Sequence, residues 1–156
     1  MNPETPIRVL AVDDHPLLRE GISALLGTQD DMVLVAEAST GKEALERYRE
    51  FQPDVTLLDI QMRGMSGIDA LIAIRAEFPL ARVIMLTTYG GDGLAMRALK
   101  AGAHAYVLKG LVRKELLDTI RAVHAGHRRV QPDVAAVMAA HVASDGLLGR
   151  FRTTCE

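Results

Sequence analysis

The residues of this chain that can do chemistry stand where short apolar runs end. The run Val-Thr-Leu-Leu at positions 55–58 stops at the carboxylate of Asp59, and turn-forming residues follow within a few positions. Similar runs are ended or followed by four other polar residues, namely Asp13, Asp14, Thr87 and Lys109. Such runs are typical of buried parallel strands. Because ligands bind outside the carboxyl ends of strands in open α/β sheets, we expect these five side chains to converge at one edge.

Three carboxylates at one edge of a sheet predict a cation site. Two carboxylates roughly 5 Å apart repel each other by about 3 kcal/mol at an effective dielectric constant near 20, so stability alone does not favour gathering them. Oxygen ligands suit Mg²⁺, and the ammonium of Lys109 can pair with Asp59 or with a phosphoryl oxygen. Since a carboxylate can accept a phosphoryl group, we predict this role for Asp59. The prediction requires Asp14 and Lys109 within reach of Asp59, and the Asp59 carboxyl open to solvent.

Each of these residues also has a plainer interpretation. Asp13 and Asp14 can cap the helix that Pro16 begins, Asp59 can be a turn former, and Lys109 can be a solvated charge. None of these interpretations predicts all of the residues at one edge. A phosphatase with an aspartate nucleophile usually needs a second acid two residues later, where this chain has Gln61. A flavin or nucleotide binder would need a phosphate-binding loop, and the glycine-rich stretch 90–93 matches neither the P-loop nor the dinucleotide-binding fingerprint.

The elements that position these residues alternate along the chain. Apolar runs predict strands at 7–12, 32–38, 55–60, 83–88 and 105–109, and helical spacing with start and stop residues predicts helices at 16–27, 41–51, 68–78, 94–101 and 113–125. Thr40 is the expected N-cap of the second helix, with Glu43 as its capping-box partner. Five strands alternating with five helices predict a parallel sheet covered by helices on both faces.

Composition and domain plan set further limits. The 156 residues, 49% of them hydrophobic, carry a formal net charge of −2, which does not favour nucleic-acid or membrane binding. The single cysteine, Cys155, and the lack of a long apolar run predict a cytoplasmic protein without membrane contact. We expect residues 1–126 to form one domain, and residues 127–156 to form a linker helix (Asp133 to Ala143) and a tail.

The set of residues described above resembles a two-component response regulator receiver domain over residues 6–126. The resemblance is carried by Asp13-Asp14, Asp59 followed by Met62-Arg63-Gly64-Met65-Ser66-Gly67, then Thr87, Tyr106 and Lys109. The stretch Asp13-Asp14-His15-Pro16-Leu17-Leu18-Arg19-Glu20-Gly21, with Ala101-Gly102-Ala103, is similar to the NarL/FixJ (LuxR-type) subfamily. The resemblance implies a flavodoxin-like (CheY-like), doubly wound, five-stranded parallel sheet of order 2-1-3-4-5.

The resemblance also implies roles for individual residues. Phosphoryl transfer from a histidine kinase to Asp59 is expected, with Mg²⁺ bound by Asp14 and Asp59, by Asp13 through water, and by the backbone carbonyl of Gln61. Thr87 would hydrogen-bond the phosphoryl group. Tyr106 would rotate inward behind it, although a core aromatic with its hydroxyl at the surface fits the spacing equally well.

The output of such a domain is a conformational switch rather than enzymatic turnover. Only self-phosphorylation and autodephosphorylation chemistry is expected. NarL-like regulators continue into a helix-turn-helix module that binds DNA, and we expect no complete module after Gly126, so DNA would be bound only through a C-terminal domain absent from this chain. A stand-alone receiver acting through protein contacts remains the alternative. Leu111 and Val112, with Arg113 and Lys114 beside them, are compatible with a homodimer or effector surface, although ordinary packing at the end of a helix is slightly favoured.

Overall fold

The computed structural model describes residues 5–62, 64–88, 93–127 and 129–130. Helices and strands alternate in the order β1 Ile7–Val12, α1 Pro16–Gly27, β2 Met32–Ala38, α2 Gly41–Phe51, β3 Val55–Asp59, α3 Gly67–Glu77, β4 Val83–Thr87, α4 Leu94–Lys100, β5 Ala105–Leu108, α5 Val112–His124 and β6 Arg129–Val130. A 3₁₀ turn, Lys109–Leu111, joins β5 to α5. Within this described part, no helix is long and apolar enough to cross a membrane. The predicted helix from Asp133 to Ala143 and the tail after it lie outside the described residues.

The sheet is parallel throughout and has the order β2-β1-β3-β4-β5-β6. The predicted order 2-1-3-4-5 is confirmed. Strand β6 was not predicted, because two residues carry no readable hydrophobic pattern, and the sequence around them indicated a linker. It pairs with Ala105 and Tyr106, so β5 is not the edge strand at these residues and its backbone polar groups there face a neighbouring strand.

Strand register brings the predicted polar residues to one edge. Val12 pairs with Leu58, Asp59 with Leu86, and Thr87 with Leu108. Positions 13, 59, 87 and 109 therefore follow or end neighbouring strands at the same level. The convergence expected from strand ends alone is what the register shows.

Both faces of the sheet are buried under helices, which explains why the strands are apolar without alternation. On one face, α1 buries Ile22 and Leu26, and α5 buries residues at helical spacing: Val112, Leu116, Ile120 and Val123. On the other face, α2, α3 and α4 pack on side chains such as Leu10, Leu58 and Met85. The two clusters hold the strands in the register that the site needs.

The predicted element boundaries hold within about two residues, and one cap differs in detail. The hydroxyl of Thr40 accepts the Glu43 amide at 3.1 Å, as predicted. The Glu43 carboxylate accepts hydrogen bonds from the amide and hydroxyl of Ser39, at 2.9 and 2.6 Å, instead of the Thr40 amide. These hydrogen bonds from Ser39 lower the pKa of Glu43. The carboxylate thus satisfies a donor one residue earlier than in the usual capping box.

A charged clamp joins α5 to the turn before β2. The Arg121 guanidinium donates from Nε to Asp31 Oδ2 at 2.8 Å and from Nη2 to Asp31 Oδ1 at 3.1 Å, and it also reaches Gln29 Oε1 at 2.6 Å. The hydrogen bond from Arg121 holds the pKa of Asp31 below its ordinary value. The clamp links residues 90 positions apart, so it stabilises tertiary structure rather than a local turn.

We predict that Asp31→Asn lowers the free energy of unfolding by about 1 kcal/mol at pH 7, since a partly exposed bidentate pair is partly screened by solvent. Because the pKa of Asp31 is lowered in the folded protein, this contribution is complete above the ordinary carboxyl pKa and disappears as the pH falls through the lowered one. Urea denaturation of both proteins between pH 7 and pH 2 measures the difference. Asp118→Asn is the control, because Asp118 lies 3.8 Å from the same arginine and is exposed. An equal loss in both variants would contradict the prediction.

Candidate functional site

The loop after β1 holds the first acidic residues in place. The Asp13 amide donates to the Ala38 carbonyl at 3.0 Å, and the Arg19 guanidinium donates to the Asp13 carbonyl at 2.6 Å. The N-cap of α1 is His15, whose side chain makes no capping hydrogen bond. Asp13 Oδ1 accepts a hydrogen bond from the His15 amide at 2.7 Å, and this amide precedes the first helical residue, Pro16. The plainer interpretation, that Asp13 and Asp14 cap α1, is therefore not what the structure shows.

Asp59 is the last residue of β3 and is nearly completely buried, with 1% of its surface exposed. Its Oδ1 accepts the Gln61 amide at 3.1 Å. The Gly67 amide donates to the Ile60 carbonyl at 2.8 Å, so the start of α3 lies against the end of β3. A Cβ built on Gly67 would lie 2.0 Å from the Asp59 carbonyl oxygen, so the start of α3 packs directly on the backbone of Asp59.

The ammonium of Lys109 joins two of the strand ends. Its Nζ lies 3.0 Å from Asp13 Oδ2 and 3.0 Å from Asp59 Oδ2. Lys109 reaches them because it follows β5, which is separated from β3 only by β4. The predicted pairing with Asp59 is present. The pairing with Asp13 was missed, because nothing in the sequence says how far the lysine side chain extends across the edge.

Burial and like charge make Asp59 unusual electrostatically. Burial, together with the charge of Asp13, raises the pKa of Asp59, although Lys109 and the Gln61 amide oppose this shift. Burial on its own would lower the pKa of Lys109, but its contacts with Asp13 and Asp59 outweigh burial and raise it. The site thus keeps a protonated ammonium beside the Asp59 carboxyl, which burial has made reluctant to ionise.

The acidic residues form a cluster with the geometry of a cation site. One ligand atom from each of Asp13, Asp14, His15 and Asp59 can be chosen so that all lie within 4.8 Å of one another. Three carboxylates at this separation suit a hard dication. His15 was missed by the sequence analysis, although its position directly after the acidic pair was a signal that could have indicated it. The backbone carbonyl of Gln61 as a ligand stays a prediction.

Thr87 lies on β4, the strand next to Asp59, and Tyr106 lies on β5, one strand further along the sheet. Thr87 ends β4 and Tyr106 lies in the middle of β5, and both are almost completely buried. Tyr106 belongs to the core cluster under α2, α3 and α4, with 0% of its surface exposed. The arrangement with its hydroxyl at the surface is therefore not the one seen here. The roles of both residues as phosphoryl contact and switch stay predictions.

One requirement of the sequence interpretation is not met in this conformation. Asp14 and Lys109 are within reach of Asp59, but the Asp59 carboxyl is not open to solvent, and its Oδ2 is buried beside the Lys109 ammonium. The Lys109 ammonium, on a side chain that is 13% exposed, lies against the carboxylates whose charge it balances. Access of a reactant to Asp59 therefore requires a rearrangement around this carboxyl.

Comparison with a family model and with curated proteins agrees with this geometry. Residues 9–121 match the model described as a response regulator receiver domain. The response regulator protein VraR of Staphylococcus aureus (strain Mu3 / ATCC 700698) is 39% identical over 132 residues, which cover 85% of this chain and 63% of VraR. The chain therefore spans only part of that relative's length.

Solved structures of similar proteins agree as well. A LuxR-family two-component response regulator from Aurantimonas sp. SI85-9A1 has a TM-score of 0.83 and 36% sequence identity, covering 89% of this chain and 99% of that one. A LuxR-family DNA-binding response regulator from Staphylococcus aureus has a TM-score of 0.71 and 31% identity, covering 76% of this chain and 98% of that one. The likeness thus extends over most of this chain.

We predict that Gly67→Ala lowers the free energy of unfolding by about 1–3 kcal/mol, because its Cβ would collide with backbone that cannot move aside cheaply. Gly21→Ala is the matched control. Gly21 is exposed in the middle of α1 with no atom near a built Cβ, so alanine there should stabilise by about 0.4–1 kcal/mol. Urea denaturation measures both changes, and equal effects of the two substitutions would contradict the prediction.

We also predict that Asp59→Asn raises the melting temperature at pH 7. The raised pKa of Asp59 means that the folded protein binds more protons than the unfolded one between the ordinary and the raised pKa, so stability falls as the pH rises through this window. Asparagine removes this loss, and the gain in unfolding free energy should be on the order of 1 kcal/mol. Thermal denaturation from pH 3 to pH 8 checks this. A gain of the same size below the ordinary carboxyl pKa would show that the effect is not electrostatic.

Proposed function

This chain belongs to the response regulator receiver domain family, with LuxR-type relatives, and we propose that it accepts a phosphoryl group on Asp59 and changes conformation in response. It is a signalling domain rather than an enzyme in the usual sense. The observation that carries the proposal is the contact of Lys109 Nζ with Asp13 and Asp59, 3.0 Å from each, beside the cluster that also includes Asp14.

In the proposed reaction, a carboxylate oxygen of Asp59 attacks the phosphorus of the donor in line with the bond that breaks. The donor is a phosphohistidine of a histidine kinase or a small acyl phosphate, and the leaving nitrogen or oxygen keeps the electron pair of the broken bond. The product is an acyl phosphate on Asp59, which water later hydrolyses to the carboxylate and phosphate. Because the transferred group is anionic, positive charge near Asp59 lowers the barrier.

Lys109 supplies part of that positive charge, and the carboxylates of the cluster are proposed to bind a cation that supplies the rest. Lys109 stays protonated beside Asp59 and can move from carboxylate oxygens to a phosphoryl oxygen. Asp13, Asp14 and Asp59, with the Gln61 carbonyl, are the proposed ligands of Mg²⁺. A bound Mg²⁺ would supply further charge stabilisation for the phosphoryl oxygens. Thr87 is proposed to donate a hydrogen bond to the phosphoryl group from the end of β4.

The proposed switch begins at the buried site and ends at α5. Phosphorylation adds about −1.5 to −2 charges, which competes for the ammonium that now balances Asp13 and Asp59. Lys109 begins the 3₁₀ turn that leads into α5, and Tyr106 lies three residues before it in β5. To invert a 1:99 equilibrium between two conformations, the new contacts must favour one of them by about 5.5 kcal/mol.

The downstream role is also part of the proposal. One solved relative is described as a DNA-binding response regulator, and this supports transcriptional control by a longer protein that contains this receiver. A histidine kinase as the phosphoryl donor and a cytoplasmic location rest on the family resemblance. A stand-alone receiver acting through protein contacts is the less favoured alternative.

The test is incubation of the purified chain with acetyl phosphate and Mg²⁺, followed by intact-mass measurement. We expect the wild-type chain to gain one phosphoryl group and Asp59→Asn to gain none. Asp54→Asn is the matched control, because Asp54 lies just before β3, and its carboxylate accepts the Arg8 amide at 2.9 Å, away from the cluster. It should be labelled like the wild type. Labelling retained in Asp59→Asn, or no labelling of the wild type, would overturn the proposal.

A further inference from the structure

The chain reverses direction at the end of α5 through a defined backbone turn. The Gly126 amide donates to the Val123 carbonyl at 3.0 Å, and the His127 amide donates to the Ala122 carbonyl at 2.9 Å. These two hydrogen bonds, around a glycine with a φ of 97°, are those of a Schellman motif. After this turn the chain returns to the edge of the sheet as β6.

The end of α5, where this turn begins, is held in place by residues outside the helix. The guanidinium of Arg82, the residue before β4, donates a hydrogen bond to the His124 carbonyl. The Arg82 carbonyl accepts the amide of Thr56 in β3 at 2.9 Å. The turn therefore starts from a point that is tied to the central strands β3 and β4.

Strand β6 is held to the sheet at only two positions. It runs parallel to β5, with Arg129 opposite Ala105 and Val130 opposite Tyr106. In comparison, β4 and β5 pair at four positions. A short pairing at the edge of a sheet opens at a lower free-energy cost than the strands of the core. The chain thus has a fixed turn at one end of this segment and a weakly held strand at the other.

One of the two β6 positions faces the strand on which the proposed switch acts. Tyr106 is completely buried in β5, and Lys109, three residues later, balances the charge of Asp59. A phosphoryl group on Asp59 competes for that ammonium, so any displacement that follows is applied to β5. Among the described strands, β5 is the one that pairs with β6. With two paired positions, a displacement of β5 that misaligns either one removes a large part of the pairing.

We propose that β6 is a releasable strap, which pairs with β5 in the unphosphorylated chain and detaches when Asp59 is phosphorylated. The inference rests on the proposed function and adds to it the element through which the switch reaches the end of the receiver. Because β6 is parallel to β5, it ends at the edge of the sheet that carries Asp59. Coupling of this kind is reciprocal, so a change that weakens the pairing of β6 also favours the phosphorylated conformation.

The experiment measures amide hydrogen exchange of the whole chain by NMR spectroscopy, with and without beryllofluoride and Mg²⁺. Beryllofluoride is the probe because it takes the place of a phosphoryl group on a carboxylate. The slower of the Arg129 and Val130 amides should exchange about tenfold faster or more when beryllofluoride is bound, whereas the amide of Leu57 in β3 should keep its rate. Unchanged or slower exchange in β6 overturns the inference.

Two variants that weaken the strap away from the acidic cluster test the reciprocal effect. Gly126→Ala places a side chain at a φ of 97°, and Val130→Pro removes an amide from β6 while leaving the turn intact. Each should tighten beryllofluoride binding by about fivefold, because the strap no longer favours the unphosphorylated conformation. Gly27→Ala is the matched control, since Gly27 ends α1 with open space around a built Cβ and no positive φ. It should leave the affinity unchanged.

The outcomes separate this inference from the proposed function. If acetyl phosphate labels the wild type but both strap variants bind beryllofluoride like the wild type or more weakly, Asp59 is the acceptor and β6 is a fixed part of the sheet. That result overturns the inference alone. If the wild type is not labelled and does not bind beryllofluoride, the proposed function fails, and the inference fails with it.

Discussion

The structure depends on one buried electrostatic contact, in which the Lys109 ammonium lies 3.0 Å from a carboxylate oxygen of Asp13 and 3.0 Å from one of Asp59. The two acids follow or end neighbouring strands and are hidden from water, so their charges cannot be screened by solvent. The balancing positive charge comes from Lys109, which directly follows β5. The register of β1, β3, β4 and β5 therefore also brings the positive charge of Lys109 next to the negative charges at this edge of the sheet.

The same contact ties the site to the rest of the fold. Lys109 is followed within three residues by α5, whose apolar face packs on β5 and closes one side of the core. Thr87 pairs with Leu108, the residue before the lysine, and Tyr106 lies in the same short strand. A change in the charge near Lys109 therefore acts first on β5 and on the start of α5. Strand β2 lies at the opposite edge of the sheet.

Charge serves opposite purposes at the site and elsewhere. Away from the site, carboxylates such as Asp31 and Glu77 form pairs with arginines that lower their pKa, which stabilises the folded protein at neutral pH. At the site, the pKa of Asp59 is raised by burial and by Asp13, so ionisation of this carboxyl works against folding. Electrostatic cost concentrated at a reactive group is common where function rather than stability selects the arrangement.

The architecture and the edge of the sheet that carries the polar residues could be predicted from local sequence patterns. Apolar runs and their stop residues are local signals, and the carboxyl ends of parallel strands share an edge whatever the side chains do, so Asp13, Asp59, Thr87 and Lys109 could be brought together from sequence. Other features became visible only in the folded chain: Lys109 bridges two carboxylates, Asp59 is buried, the ring of His15 faces the acids, and β6 extends the sheet. These features depend on side-chain directions and on contacts between distant parts of the chain, which leave no periodic pattern to read.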